Sequence, residues 1–236
     1  VSDAVIPDLE HPIALETWED GPCPALNPDE LIHGGVSVLD LQSRNPMWAF
    51  VRHRLNTRGL EPYADTPLRS QRGEFLHAVM RAIWEKLRNH DNLQAQRESV
   101  DFAWWIDQTV SSLARLMLAD WPAALIPLES ARTIELVHKW LEAESERPAF
   151  EVVEMESPYH LKIGMLDIKV VIDRIDKACP NFEREHAEGA QRDSGPGWAL
   201  LDYKTGMSRA TPFKDWARER PIDIQMLAYV RALRLA

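Results

Sequence analysis

The chain has 236 residues, of which 45% are hydrophobic and 27% charged, and this composition is typical of a globular protein with a sizeable core. No apolar run approaches the roughly 20 residues of a membrane-spanning helix. Two cysteines, Cys23 and Cys179, are too few for a disulfide framework or a four-thiolate metal site. These features exclude a membrane span and a small disulfide-stabilised fold, and they favour a cytoplasmic protein.

The net charge of −10 is distributed unevenly along the chain. Residues 1–40 contain nine Asp or Glu and no Lys or Arg, whereas the remaining chain has 28 acidic and 27 basic side chains. Residues 41–91 are basic, with nine Lys or Arg against five acids. A local basic face is compatible with a phosphate backbone, although a solvated helical surface is the commoner use of such charges.

The first elements of the chain are predicted to be an extended acidic arm over residues 1–40, rich in Pro, Gly and carboxylates, and then four helices. Apolar residues at helical spacing place these helices at about residues 45–56, 71–87, 99–119 and 129–146. We expect their apolar stripes, including most of the nine tryptophans, to pack in the core rather than to stack on bases. The stripe residues are Trp48, Phe50, Val51, Phe75, Leu76, Val79, Ile83, Trp84, Leu87, Trp104, Trp105, Leu113, Leu116, Leu136, Val137 and Trp140.

The pattern changes near Phe150. Short segments with β-branched residues predict strands at residues 150–156, 159–163 and 166–176, arranged as an antiparallel meander. A polar loop over residues 179–197 separates them from an apolar strand at 198–204, and a final helix is predicted from about Ile222. The order of helices, strands and a last helix indicates an α+β fold.

Asp202 and Lys204 carry the strongest chemical signal. They lie two residues apart in the apolar run that begins at Ala199, and side chains at positions i and i+2 of a strand share a face. A carboxylate beside an amine, with a second carboxylate from a neighbouring strand, can hold a divalent metal and a water together. This pattern indicates metal-assisted hydrolysis of phosphodiesters.

The segments GVSVLDLQSRNPMWAFVRHRL, RGEFLHAVMRAIW, VVIDRIDKA, LLDYKTG and IQMLAYVRAL occur in an order that resembles the RecB/AddB-like branch of the PD-(D/E)XK nuclease superfamily. The resemblance extends from about Gly34 to the C-terminus. It implies a restriction-endonuclease-like α+β core, with a central mixed sheet flanked by helices and an N-terminal helical portion. The nuclease domain would cover residues 41–236, mostly helical over 41–149, with the catalytic sheet and last helix in 150–236.

The resemblance also implies the catalytic centre of a DNA nuclease, with an exonuclease of DNA repair as the favoured activity. Asp173, the first acid of IDRID, matches the first metal-binding carboxylate, and Asp202 matches the second. Lys204 matches the lysine that positions the attacking water and stabilises developing charge. Hard oxygen ligands of this kind suit Mg²⁺ or Mn²⁺.

Further residues match the branch around this centre. His77 matches the histidine that completes the metal shell, and the backbone carbonyl of Tyr203 is an additional ligand in such sites. Gln225 and Tyr229 match the motif of the last helix, which steadies the lysine or contacts the DNA backbone. Nitrogen ligation by His77 would bias the site towards Mn²⁺.

Two departures from the branch qualify the resemblance. The branch often binds an iron–sulfur cluster through four cysteines, but the corresponding stretch here is Asn45-Pro46-Met47, so we expect no cluster. The last motif lacks the usual prolines, yet Gln225 and Tyr229 keep their spacing. The chain opens without Met and stops within an apolar helical pattern, so we expect it to be a fragment of a longer protein. The resemblance implies a helicase-like region in that protein, or a helicase-like partner, because the domain of this branch usually ends such a protein.

Other interpretations of the same residues remain. Asp173 could be structural, because Arg174, Asp176 and Asp167 lie near it and any of them could form an ion pair. The domain could be a non-catalytic DNA-binding or scaffold module, which would be expected to lack one of the site residues; none is missing here. An RNA-directed nuclease is a further alternative, because nothing in the sequence distinguishes ribose from deoxyribose recognition.

Overall fold

The computed structural model describes residues 21, 25–27, 30, 32–59, 69–178, 197–204 and 224–235. The chain divides into two units, residues 1–30 and 31–236, and all elements below belong to the second. Most of the predicted acidic arm and nearly all of the predicted loop at 179–197 lie outside the described residues, as do both cysteines. No helix in the described part of the chain is long and apolar enough to cross a membrane.

Two short helices precede the main helical layer. Helix α1 spans Ser37–Arg44, and α2 spans Pro46–Ala49 and continues into a π-helical turn at Phe50–Arg54. Asn45 separates them, because its backbone is extended while its side chain accepts a hydrogen bond from the Trp48 amide at 3.1 Å. The helix predicted at 45–56 is confirmed, because α2 and the π-helical turn together cover residues 46–54. Helix α1 was not predicted.

Four helices form the main helical layer: α3 at Arg69–Leu87, α4 at His90–Arg97, α5 at Phe102–Met117 and α6 at Leu125–Ser145. The apolar stripe predicted on α3 is confirmed, since Phe75, Ile83, Trp84 and the other members of that stripe are all buried. They pack with residues of α5 and α6 in one hydrophobic cluster. Helix α4 was not predicted.

Several predicted core residues are wrong, and the packing of α5 explains two of them. This helix buries Phe102, Ile106 and Val110 at four-residue spacing, so the opposite face is turned to solvent. Trp104 on that face is 64% exposed, and Leu116, displaced in the same way from the buried Ala114, is 76% exposed. Trp48 on α2 is also exposed. The remaining predicted stripe residues of α5 and α6 are buried or partly buried in the cluster: Trp105, Leu113, Leu136, Val137 and Trp140.

The sheet has three described strands in the order β1, β2, β3, and both pairings are antiparallel. Strand β1 is Phe150–Ile163, β2 is Leu166–Ala178 and β3 is Trp198–Leu201. The two strands predicted at 150–156 and 159–163 are therefore one strand, with a register shift between Val152 and Glu154. β3 ends at Leu201, three residues before its predicted end. The α+β class is confirmed.

The last helix, α7 at Gln225–Leu235, packs on the sheet. Its Ala228, Tyr229 and Ala232 form a second hydrophobic cluster with sheet residues that include Ile168 and Ile172. Two small residues on this face allow the helix to approach the strands closely. The packing brings the first turn of α7, which begins at Gln225, to the end of β3.

A buried ion network joins the helical layer to the sheet. Arg174 on β2 is 1% exposed, and its Nη2 lies 2.6 Å from Asp176 Oδ2 and 2.9 Å from Glu144 Oε2 of α6. Its guanidinium group lies 4.0 Å from the centroid of the Trp84 ring. Arg147 adds a further contact to Asp176 at 3.0 Å. The network supplies the partners that buried charges require.

We expect Arg174→Ala to lower the free energy of unfolding by about 3–5 kcal/mol, because it leaves two buried carboxylates short of their main partner. Urea unfolding followed by circular dichroism would measure the change. Lys139→Ala is a suitable control, since Lys139 forms an exposed pair with Glu135, and it should leave the midpoint unchanged. A loss for Arg174→Ala no larger than that of the control would contradict the structural role of the network.

Candidate active site

The antiparallel register brings Asp173 and Asp202 side by side at the point where β3 ends. Arg174 of β2 is opposite Leu201 of β3, so Asp173 and Asp202 are each one residue beyond this last pair. The segment after β3 is tied back to β2, because the Tyr203 amide donates a hydrogen bond to Asp173 Oδ2 at 2.8 Å. The two predicted carboxylates are therefore neighbours, although Asp202 lies just after the strand rather than within it.

Asp202, Lys204 and Gln225 form a closed set of contacts. Lys204 Nζ lies 2.8 Å from Asp202 Oδ2 and donates to Gln225 Oε1 at 2.7 Å. Gln225 Nε2 donates to Asp202 Oδ1 at 3.1 Å. The spacing of Asp202 and Lys204 thus produces the shared local site that the sequence predicted. Tyr229, one turn along α7, accepts a hydrogen bond from Gln225 Nε2 at 2.5 Å.

His77 reaches the same region from α3. Its Nε2 lies 2.9 Å from the Tyr203 carbonyl oxygen, and a carbonyl only accepts, so this nitrogen carries the ring proton. Its Nδ1 is 3.6 Å from Asp173 Oδ1. The structure therefore brings all seven predicted site residues into one connected set, spread over α3, β2, the end of β3 and α7.

Tyr203 connects this set to the buried ion network. Its hydroxyl accepts a hydrogen bond from Arg174 Nη1 at 2.9 Å, and its ring stacks on Trp140 with a centroid separation of 5.2 Å. Burial raises the pKa of Tyr203 to about 12. The side chain is thus anchored in the core while its backbone N–H and C=O face the candidate site.

The acids around Asp173 have separate partners. Asp176 pairs with Arg174, and Asp167 lies 2.8 Å from His160 on β1. Asp173 instead contacts the Tyr203 amide and faces His77. The structural ion pair considered from the sequence is therefore the one between Arg174 and Asp176.

Burial raises the pKa of Asp173 above its ordinary range. The hydrogen bond from the Tyr203 amide and the nearby His77 act in the opposite direction, whereas the charge of Asp202 adds to the rise. Ionisation of Asp173 therefore lowers the free energy of unfolding of the chain. Carboxylates in this condition are frequent at functional sites.

The donor set has the chemistry of a divalent metal site, since two carboxylates, a carbonyl and an imidazole converge. Among the described residues, no three His, Cys, Asp or Glu side chains are arranged as a ready metal cluster, and Asp202 is instead engaged by Lys204 and Gln225. However, His77 Nδ1, the ring nitrogen without the proton, faces Asp173 Oδ1 at 3.6 Å, and a carboxylate oxygen beside an imidazole nitrogen is a donor pair that a divalent transition metal accepts. The residues present fit such an ion.

The sequence did not single out Glu156, which lines a cleft together with His77 and Asp173. Its Oε2 accepts a hydrogen bond from Arg81 Nη1 at 2.9 Å, and its φ of 46° is unusual for a residue with a side chain. Glu156 lies in a polar stretch without a motif, so no sequence signal could have identified it.

The site thus combines paired carboxylates and a lysine where β3 ends beside β2. A family model of the PD-(D/E)XK nuclease superfamily matches residues 36–236, and the chain belongs to this superfamily. Comparison with curated proteins and with solved structures found no match. Members of the superfamily are generally hydrolytic nucleases that use divalent metals, and DNA is the substrate class that membership implies.

We expect Asp173→Asn to raise the melting temperature of the metal-free protein at neutral pH. The pKa of Asp173 is raised in the folded chain, so its stabilising contribution is complete below the unfolded-state pKa and is lost as the pH rises through the folded-state value. Asn removes the buried charge and keeps an oxygen for the Tyr203 amide. Differential scanning calorimetry with a chelator present would measure the change.

The gain should disappear in acid, where the carboxyl group of the wild type is protonated. Asp167→Asn is the matched control, because its carboxylate is exposed on the same strand, and it should not raise the melting temperature. An Asp173→Asn variant that melts at or below the wild-type temperature at neutral pH would show that His77 and the Tyr203 amide fully offset the burial.

Proposed function

We propose that this chain is a metal-dependent deoxyribonuclease of the RecB/AddB-like branch, and that it acts as an exonuclease in DNA repair or recombination. The observation that supports it best is the contact between Lys204 and Asp202 beside the partly buried Asp173. An ammonium group and two carboxylates beside the end of β3 have little structural use, because the core is already closed by the Arg174 network. A shared role in hydrolysis would explain why the ammonium group and both carboxylates are present.

Asp173, Asp202, the Tyr203 carbonyl and His77 would hold the metal. Hard oxygen donors favour Mg²⁺ or Mn²⁺, and the imidazole adds a bias towards Mn²⁺. The ion would supply a Lewis acid at the scissile phosphate and a bound water of lowered pKa. Members of this branch often bind an iron–sulfur cluster through four cysteines. Because this chain has only two cysteines, we propose that it binds no such cluster.

Lys204 would orient the attacking water and offset the negative charge that develops on the phosphate. Its ammonium is already directed by two acceptors, Asp202 Oδ2 and Gln225 Oε1. Holding the cation in place before substrate arrives avoids reorganisation during the reaction. The half-exposed position of Lys204 leaves the ammonium accessible to a phosphodiester.

Gln225 is proposed as the positioning residue that links lysine and carboxylate. It accepts from Lys204 with Oε1 and donates to Asp202 and Tyr229 with Nε2. Both ends of the amide are used, so its orientation is fixed by its neighbours. Tyr229 would hold the amide and offer its hydroxyl group to the DNA backbone.

A helicase-like region or subunit is the proposed partner. The net charge of −10 opposes tight binding of DNA by the whole chain, because affinity for nucleic acid depends strongly on neutralising phosphates. A partner that delivers DNA to the site would compensate for this charge. We propose the cytoplasm as the place of this action.

We expect Lys204→Ala and Asp202→Asn each to lower the rate of DNA cleavage by at least about 100-fold, since each removes a charge that acts on the transition state. The assay follows labelled linear single- and double-stranded DNA with Mg²⁺ or Mn²⁺, and chelation should abolish cutting. Lys177→Ala and Asp167→Asn are matched controls on β2 that lie outside the site, and both should cut at the wild-type rate.

The outcomes separate the candidate functions. Cutting that survives in both site variants would refute the assigned centre. Metal binding without cutting, lost in Asp202→Asn, would mean that an intact site needs its partner. A wild-type chain that binds DNA but neither cuts it nor binds metal would favour the non-catalytic scaffold.

Gln225→Leu should lower kcat by about 10- to 100-fold with a small change in KM, because residues that orient a metal ligand typically have effects of this size. Tyr229→Phe removes a single acceptor and should have a smaller effect. Steady-state cleavage kinetics measure both. An unchanged kcat in Gln225→Leu would show that Lys204 is held by Asp202 alone.

A further inference from the structure

Two grooves adjoin the candidate active site. The first, which we call the α1 groove, is lined by the turn before α1, by β2 around Lys169, and by Gln225 and Tyr229; its volume is about 660 Å³. The second, the α3–α5 groove, is lined by His77 and neighbouring residues of α3, by Leu113 and Met117 of α5, and by Glu156; its volume is about 520 Å³. Each groove therefore shares at least one residue with the site.

The two grooves differ in charge. In the α1 groove, Arg44 and Asp40 pair at 2.8 Å, while Lys169 forms no ion pair within the described part of the chain. This groove therefore has one net positive charge. A phosphodiester strand would be attracted to it.

The α3–α5 groove has the opposite character. It contains Glu74, Glu85 and Glu156 against one arginine. Arg81 already donates to Glu85 and to Glu156, both at 2.9 Å. The groove is net negative, and its arginine is committed to two carboxylates, so a phosphate there would meet repulsion.

The turn that lines the α1 groove is fixed by two glycines and a buried histidine. Gly34 has a φ of 124°, and a Cβ at this position would lie 2.3 Å from His53 Nδ1. Gly35 has a φ of 56° and lies against the strand, since a Cβ there would be 3.2 Å from the Lys169 carbonyl oxygen. His53, which is buried, donates from Nδ1 to the His33 carbonyl at 2.7 Å and holds the turn. The space that a side chain would need at either glycine is occupied by the protein itself, so the two glycines let this turn pack closely against His53 and β2.

We propose that the α1 groove binds the single-stranded DNA segment next to the scissile phosphate, with Lys169 as a phosphate contact. The proposal rests on the proposed nuclease function and adds the path of the strand, which passes Gln225 and Tyr229 and avoids the acidic α3–α5 groove. The volume lies within the roughly 300–1,000 Å³ of small-ligand sites. Such a groove suits individual nucleotides of one strand rather than a duplex.

The test measures binding of fluorescein-labelled oligo(dT) by anisotropy, with EDTA present to prevent cleavage, over a range of salt concentrations. Lys169→Ala should weaken binding severalfold at low salt and reduce the slope of log K against log salt by about 0.7, the value for one phosphate contact on a single strand. Lys169→Arg should retain the wild-type slope. Lys162→Ala is the control, because it removes the same charge from the neighbouring strand β1, outside the groove.

Each other outcome is informative. If Lys169→Ala and Lys162→Ala have equal slopes, the path is refuted, while cleavage by the wild type would leave the nuclease function intact. If Lys169→Ala loses as much affinity for a duplex probe as for oligo(dT), the assignment to a single strand is overturned. A wild-type chain that binds neither oligo(dT) nor a divalent metal, and that cuts no DNA, would overturn both the function and the path.

Discussion

The buried guanidinium of Arg174 is the interaction on which the rest of the structure depends. It connects β2 to α6 through Glu144 and to the end of β3 through the Tyr203 hydroxyl. A charge at this depth is tolerated only because carboxylates, a hydroxyl and the Trp84 ring surround it. The position of Tyr203 follows from that network. The backbone of Tyr203 in turn fixes Asp173 and His77, so the geometry of the site is set by a group that does not belong to it.

The same strand carries one acid for structure and one for chemistry. Asp176 is fully buried and paired with Arg174, whereas Asp173, three residues earlier, is only partly compensated by the Tyr203 amide and His77. This arrangement lets the core satisfy its own charges without using those of the site. The loss of stability caused by ionised Asp173 is then confined to the site, where a bound metal would neutralise its charge.

Local patterns in the sequence were sufficient for much of the fold and for the pairing of Asp202 with Lys204. The apolar stripe lies within one helix, α3, and Asp202 and Lys204 lie two residues apart in one segment after β3. Patterns within one such segment can be derived from the sequence. Trp104 and Leu116 were misassigned because the direction in which α5 faces is decided by α3 and α6. Glu156 and Arg81 meet across 75 residues of chain, and no local pattern encodes such a meeting. The convergence of His77 with Asp173 was expected only from the family resemblance.

The amide of Tyr203 has a consequence for solvent exchange. It lies outside the β-ladder, yet it is hydrogen-bonded to a partly buried carboxylate, so its protection against deuterium reports on one side chain rather than on the sheet. The ladder of β3 has only four residue pairs, and short ladders open more readily than the core. Exchange at this single amide would therefore show how often the end of β3 leaves Asp173, on a timescale that a static structure does not display.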